Sequence, residues 1–438
     1  MKNVHICLSE WKHFVRSPFK IVALLLFVLA SVYGLHNGAH LYQKQNAEIQ
    51  KINQKAQEQK DKMVSYYQKG QKSPDGRPWV DFTRPFWAIW NLPTYAVKNP
   101  SSAMVYSIGQ AEQYGFYKAI SVWASAYDAD MAEEISNPER LQIGTLDFAF
   151  AVLFLLPLLL LILVYNIKST ESEQGFLPLV YVQTGTKDAW LLARLWFYTG
   201  MILLVLLLLM AYGAFLTHVW ETEVNAFFEV FAYAVFYVGF WLLIYFFILR
   251  NGKSILGNSL QMIGVWLLFA LIIPATVHQI VGVLKPVNLM TDWIDIQRDG
   301  QEKLFAQPDS VIDDQLFALY PSLKVSKLAD DLEKRQLLRN FSSSALAYDM
   351  VKGATVQMVA ENQAKNALIE QTYWFNPSTF FQNRLNKSAQ THYQDYESYR
   401  VRINQLVARS IELMVTDLWN EVTVDEHKYL QYYKQLSK

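Results

Sequence analysis

Four stretches of this chain contain no Asp, Glu, Lys or Arg: Phe148 to Ile167, Leu195 to Trp220, Val230 to Leu249 and Ser254 to Leu284. Apolar residues clumped in this way, rather than recurring at helical or strand spacing, decide the class before any motif is considered. An α-helix of about 20 apolar residues crosses the hydrocarbon of a bilayer with its backbone hydrogen bonds satisfied internally. The four stretches are therefore candidate transmembrane helices. A fifth begins at "IVALLLFVLASVYGL", inside the interval from Ile21 to Gln43 that also lacks those four residue types. No small-x-small cleavage site follows it and the polar residues beyond it read as the same helix continuing, so it is expected to remain as a signal anchor.

The expected fold class is mainly α. It is a polytopic membrane protein with about five transmembrane helices, at 20–43, 146–167, 191–219, 230–249 and 255–284, and two extracytoplasmic, mostly helical regions, 44–145 and 285–438, that pack together. Short connections report orientation through their Lys and Arg content. The 1–19 segment and the residue after it carry Lys2, Lys12, Arg16 and Lys20 against Glu10, and the 250–254 turn carries Arg250 and Lys253. Both are expected on the cytoplasmic side. The 220–229 loop holds Glu221, Glu223 and Glu229 without a basic residue and is expected outside. Five crossings then place the N-terminus in the cytoplasm and the C-terminus beyond the membrane.

Lys plus Arg equals Asp plus Glu at 39 each, so nothing in the charge points to a nucleic-acid partner. The single cysteine, Cys7, has no second thiol in the chain to pair with.

The first polar region opens with "YQKQNAEIQKINQKAQEQKDKMVSYYQKG", a proline-free run that carries the first membrane helix outward to Gly70. Ile49, Ile52, Ala56, Met63 and Tyr66 form one loose apolar stripe on it. The stripe suits either a stalk packed on its own domain or a coiled-coil contact with a partner. "SPDGRPW" is a turn by composition. The C-terminal region reads as helices, with Pro377 in "YWFNPSTFF" marking a break.

At the N-terminus, Val4, Cys7, Leu8, Trp11, Phe14 and Val15 share one helix face while Lys2, His5, Ser9, Lys12, His13 and Arg16 share the other. That pattern suits a helix lying in the cytoplasmic interface, and Pro18 permits a sharp entry into the first span. The one sizeable cytoplasmic loop, 168–190, begins "KSTESEQGFLPLV". Gly175 and Pro178 punctuate it, and its apolar element can dock on a partner or on the membrane surface. Standing alone, Glu171 and Glu173 are most often solvated charges at a helix end.

A span that ends in a Ser/Glu-rich linker followed by "ESEQGFLPLVYVQTGTKDAWLLARL" resembles the ABC-2-type transporter permeases, in which an E-x-E-x-G-T-L pattern enters a short coupling segment and a basic residue opens the next helix. Glu171, Glu173, Gly175 and Leu177 match that pattern and Arg194 takes the basic position; Phe176 stands where Thr is usual, and Pro178 is atypical. "SIGQAEQYGFYKAIS" and "WFNPSTFFQNRLNKSAQTHYQDYESYRVRI" extend the resemblance to a subgroup with a large external insert and a C-terminal domain of unknown function. The resemblance implies the permease of an ATP-driven exporter in the bacterial inner membrane, with periplasmic domains. It implies two permease copies, identical or paired with a related permease, on two ATPase subunits that bind the ATP, and an ATPase-coupling loop built on Glu171, Glu173, Gly175, Leu177 and Arg194. The general family has six spans with both ends inside; this chain has five by count.

The chain itself carries no nucleotide site. "NGKS" at Asn251 to Ser254 is not a phosphate loop, because Phe247 stands where the first glycine would be. No cofactor is expected in this chain. His36 and His40 are one helical turn apart, and His218 and His278 belong near the outer boundary, but no acid or cysteine cluster completes a metal site. Pro274 is expected to kink the fifth span. No nucleophile elbow or zinc-protease signature appears, so an enzyme is not expected. Two readings remain: a transport permease driven by a separate ATPase, or a mechanical or structural envelope protein whose external domains the ATPase moves without a substrate crossing.

Overall fold

The computed structural model describes residues 2–437 apart from 75, 128–145, 185–186, 253, 287–288, 327 and 330. Lys253 and the side chains of Lys2, Val4 and His5, all used above, lie outside the described residues.

The chain is mainly α. Among the described residues five helices are long and apolar enough to cross a membrane: Pro18–Gln68, Phe148–Glu173, Asp188–Thr217, Val224–Asn251 and Ile255–Leu284. Helix α1 (Lys2–Val15) stops before Ser17, and Pro18 then occupies the first turn of α2 (Pro18–Gln68), where its missing N–H leaves no bond unmade. Helix α2 runs unbroken for 51 residues, a rod of about 76 Å at 1.5 Å per residue. Its chain turns away at Gly70, whose φ of +66° suits glycine.

A small domain follows, with α3 (Pro85–Trp90) and an antiparallel pair, β1 (Tyr95–Val97) and β2 (Tyr117–Ala119), that sets Ala96 opposite Lys118. The second span enters through the turn Phe148–Phe150 and a π turn, Ala151–Leu155, before α4 (Leu156–Val164). Two short helices, α5 (Ser169–Glu173) and α6 (Leu177–Thr184), lead into α7 (Lys187–Thr217), α8 (Val224–Asn251) and α9 (Ile255–Leu267). A second π turn, Leu268–Ile272, joins α9 to α10 (Ile273–Leu284). The remainder is helical: α11 (Leu289–Ala306), α12 (Asp309–Leu319), α13 (Leu332–Gln371), α14 (Pro377–Ser388), α15 (Tyr393–Trp419) and α16 (Glu426–Leu436).

Both π turns end two residues before a proline, Pro157 and Pro274. Proline lacks the N–H for an i−4 bond and its ring collides with that carbonyl, so the turn widens. Apolar surroundings require another donor for the freed oxygens. Tyr237 gives its hydroxyl to the Leu153 carbonyl at 2.7 Å, four residues before Pro157, and Ser378 gives its hydroxyl to Phe269 at 2.8 Å, five residues before Pro274. The distortion expected at Pro274 is thus a widened turn tied to α14, and Pro157 carries a matching one.

The side chains gather into two main cores. One lies among the spans and includes Leu35, Leu160, Tyr198 and Trp241, all fully buried. The other joins the segment after α2 to the C-terminal helices through Met63, Ile89, Ile403, Trp419 and Tyr432. The stalk half of α2 packs on its own chain: Ile49, Ile52, Ala56 and Met63 are buried, the Tyr67 and Tyr429 rings meet at a tilt with centroids 5.3 Å apart, and Gln68 donates to Glu426 at 2.9 Å. The face that the sequence left open to a coiled-coil partner is thereby covered.

Where the two cores meet, backbones touch. A Cβ at Gly34 would stand 2.5 Å from the Asp147 carbonyl carbon, and one at Gly38 would stand 2.8 Å from the Met104 oxygen and the Val105 Cα. These two glycines, one helical turn apart, let α2 lie flat against the start of the second span and the 3-10 turn Ser102–Val105. Asp147 caps the second span through Phe150 N–H at 2.7 Å and also accepts Ile108 N–H at 2.9 Å.

Candidate functional site

The residues singled out from the sequence converge at the end of the bundle opposite Gly38. Arg194, near the start of α7, is 9 % exposed although it carries a full charge. Its guanidinium bonds Glu171 of α5, donates to the Ile167 carbonyl at 2.6 Å, and approaches Glu10 of α1 to 2.5 Å. The Trp190 ring, one turn back on α7, lies 5.0 Å beneath it. Charges survive burial only when paired and hydrogen-bonded, and here one guanidinium serves two carboxylates.

A fourth charge completes the group. Lys20, at the start of the first span, is buried; its ammonium donates to the Leu163 carbonyl at 2.6 Å and to the Tyr198 hydroxyl at 3.1 Å. Tyr198 in turn hydrogen-bonds Glu10. Glu10 and Glu171 against Arg194 and Lys20 sum to zero, so the cluster is neutral as a whole while linking α1, α2, α4, α5 and α7. Glu10 Oε2 and Glu171 Oε2 are buried without a hydrogen-bond partner. Each carboxylate is therefore held by one oxygen.

The rest of the linker is latched to the other spans. Lys168 donates to the Arg250 and Gly252 carbonyls in the turn between α8 and α9. Ser169 accepts from Asn258 at 2.7 Å, and Glu173 accepts the Ile255 N–H at 2.8 Å, capping the positive end of α9 together with Ser254. A Cβ at Gly252 would fall 1.6 Å from Asn258 Oδ1, so a larger residue there would push the Asn258 amide off Ser169.

Gly175 then reverses the chain at φ +76° with open space around it, and Leu177, Val180 and Tyr181 pack inward on the spans. The opposite side of α6 is apolar and bare: Phe176 is 58 % exposed, Leu179 60 % and Val182 85 %. The two acids are therefore engaged within the chain, and the unpartnered surface of the linker is hydrophobic.

Sequence reading passed over Glu10 and Lys20, counting them only as charges for topology. The signal was available for Glu10: Ile6, Glu10 and Phe14 share a helical face, and Ile6 and Phe14 pack into the bundle beside it. Leu8, Trp11 and Val15, placed with Phe14 on one apolar face, are instead exposed on another side of α1. At the opposite end of the bundle Glu223 is also engaged, accepting from Ser101, from Ser102 Oγ at 3.2 Å, from Ala103 N–H at 3.2 Å and from Gln390 at 3.3 Å. His36 bonds the Tyr212 hydroxyl at 2.7 Å, and among the described residues no three His, Cys, Asp or Glu side chains come together as metal ligands would. Comparison of the chain with protein-family models, with curated proteins and with solved structures gave no match.

Proposed function

We propose that this chain is the permease subunit of an ABC exporter, driven by a separate ATPase that binds the ATP and docks on α6. The observation that carries this reading is the linker: Lys168, Ser169, Glu171 and Glu173 tie it to α7 and to the α8–α9 turn, while Phe176, Leu179 and Val182 stand unpartnered beside it. A partner gripping that apolar face would pull on several spans at once. In this reading the Arg194 end of the bundle is cytoplasmic, as the Lys12, Arg16 and Arg250 charges favour; the Glu223 end and the second core lie outside, and the C-terminus is extracytoplasmic. A second permease, identical or related, completes the assembly across the lipid bilayer.

The test uses the tagged full chain purified from the cells that make it naturally, with co-purifying ATP-hydrolysing activity as the readout. Phe176→Glu, Leu179→Glu and Val182→Glu are each expected to abolish co-purification of ATP-hydrolysing activity while leaving the thermal unfolding of the purified chain unchanged, because all three side chains already face solvent. Retention of the ATPase by all three variants would refute docking on α6.

The mechanical reading has its own support in α2, one rigid helix that runs from Lys20 in the charge cluster to Gln68 against α16. Motion imposed at one end of such a rod reaches the other. The two readings separate in reconstituted vesicles: ATP-dependent loss of a solute or lipid from the membrane supports export, and ATP-dependent change confined to the C-terminal helices supports mechanical work.

A further inference from the structure

A cavity of about 410 Å³ lies between α13 and α15, roofed by the segment Val122–Tyr127. Its α13 wall is a single face, Ser344, Ala347, Val351, Thr355 and Val359 with their neighbours, which at 1.5 Å per residue extends about 22 Å. Its α15 wall presents Val401, Asn404 and Ala408, and the Trp123 ring lines the roof side. The volume is in the range of about 300–1,000 Å³ typical of ligand sites that are mostly apolar with a few placed polar groups. Apolar side chains reach solvent at its rim, where Val356 is 64 % and Val401 43 % exposed.

Three polar features distinguish it from a packing defect. Ser344 lines the cavity at 1 % exposure, and its hydroxyl has no hydrogen-bond partner, an arrangement that costs free energy unless a ligand or water supplies one. Among the described residues Lys352 is the one charged side chain of the lining. A second chamber of about 430 Å³ shares Val359 and Val401 with the first and continues along the same two helices, lined by Gln363, Asn366, Glu370 and Glu397. Among the described residues the apolar chamber therefore has a cation at its own rim, while Glu370 and Glu397 line the neighbouring chamber.

We propose that the chamber between α13 and α15 binds a single-chain amphiphile with an anionic head, a fatty acid or a lysophospholipid. The acyl chain lies along the Ala347, Val351 and Val359 wall, and the head pairs with Lys352. An elongated aliphatic trough with one cation fits an acyl chain better than a flat or multiply charged solute. The site concerns binding alone and does not depend on whether the bundle transports.

The full chain in nanodiscs is exposed to a long-chain fatty acid carrying a diazirine, and separately to a lysophosphatidylglycerol carrying the same group, then irradiated and mapped by peptide mass spectrometry. Adducts are expected on the 344–359 and 401–408 segments with one or both probes, and the probe that labels identifies the source of the chain. Ala347→Trp fills the chamber and Val356→Glu sets a negative charge at its rim one turn from Lys352; both are expected to remove these adducts. Val356 is exposed, so that variant folds even where the bulky one does not. Lys352→Ala is expected to lower the labelling severalfold. The proposal is overturned if neither probe labels these segments, if labelling persists in Val356→Glu, or if a neutral long-chain alcohol with the same diazirine labels them as strongly as the acid.

Discussion

Replacing Arg194 by Met keeps most of the side-chain volume against Trp190 and removes the charge. Glu10 and Glu171 then share the buried site with Lys20 alone, leaving one carboxylate uncompensated. Removing one partner of a buried ion pair costs about 3–5 kcal/mol, chiefly because the charge left behind cannot be hydrated. The Glu171 side chain is 23 % exposed and recovers some water, so the lower half of that range is expected, about 3 kcal/mol. Adding Glu171→Gln to Arg194→Met removes yet another native contact, but it restores neutrality between Glu10 and Lys20. The double variant is therefore expected to be more stable than Arg194→Met alone, with a coupling energy toward the upper end of the roughly 0.5–3 kcal/mol seen for contacting residues. Sodium dodecyl sulfate titration of the protein in mixed micelles, followed by tryptophan fluorescence, reads these differences for the wild type, both single variants and the double. Refutation is specific: a double variant no more stable than Arg194→Met would mean that hydrogen bonds, rather than charge balance, hold the cluster together.

At the glycine contacts, Gly34→Ala forces its Cβ into the Asp147 backbone and is expected to destabilise by about 1–3 kcal/mol, whereas Gly239→Ala, with open space around it, is expected to gain roughly 0.5–1 kcal/mol from helix propensity. The same micelle titration checks both signs. Lys55→Pro breaks α2 in its exposed middle turn at about 3 kcal/mol of local helix stability; it is expected to leave ATPase co-purification intact and to abolish any nucleotide-dependent change in hydrogen exchange of α16. His392, which accepts the Gln394 N–H at 3.4 Å beside the Asp395 cap, is held down to about 4 from 6.5 by burial and then by Lys387, with Glu370 opposing. A depressed folded pKa contributes stability that is present above about pH 6.5 and lost as the pH falls toward 4. Allowing for screening, the loss is roughly 1–3 kcal/mol, and a His392→Asn variant should lose that part of the acid sensitivity in melts at pH 7 and 4.5.

The spans were legible because a bilayer imposes a length and a composition that few other environments demand, and the blocks from Phe148, Leu195, Val230 and Ser254 satisfy both. Helix α2 was legible through its proline-free run and its stripe at Ile49, Ile52 and Ala56. What stayed hidden was pairing at a distance. Arg194 and Glu171 could be named from one stretch of sequence, but Glu10 is 184 positions from Arg194 on another helix, and no local pattern says that its carboxylate turns inward. The same holds for Tyr237 and Ser378, whose hydroxyls satisfy carbonyls freed by prolines 80 and 104 residues away. Periodicity reports which face is apolar; it cannot report which polar group on that face has found a partner.

The fate of the linker acids shows how that limit bears on function. In the sequence, Glu171 and Glu173 were the conspicuous groups, and a docking partner would have been sought by its positive charge. With both carboxylates occupied, the surface left for contact is Phe176, Leu179 and Val182, and recognition there would be hydrophobic and insensitive to salt. If an ATPase docks on α6 as proposed, the acids would serve transmission instead: a displacement of α6 would act through Gly175 on α5, and from there through Glu171 on α7, through Glu173 on α9 and through Lys168 on the α8–α9 turn. Arg194 would carry the same displacement to Glu10 and α1, beside the Lys20 end of α2. A linker tied in this way moves several helices or none. Salt titration of ATPase co-purification would therefore discriminate between the two roles, since docking through the acids weakens steeply with ionic strength and docking through the apolar face does not.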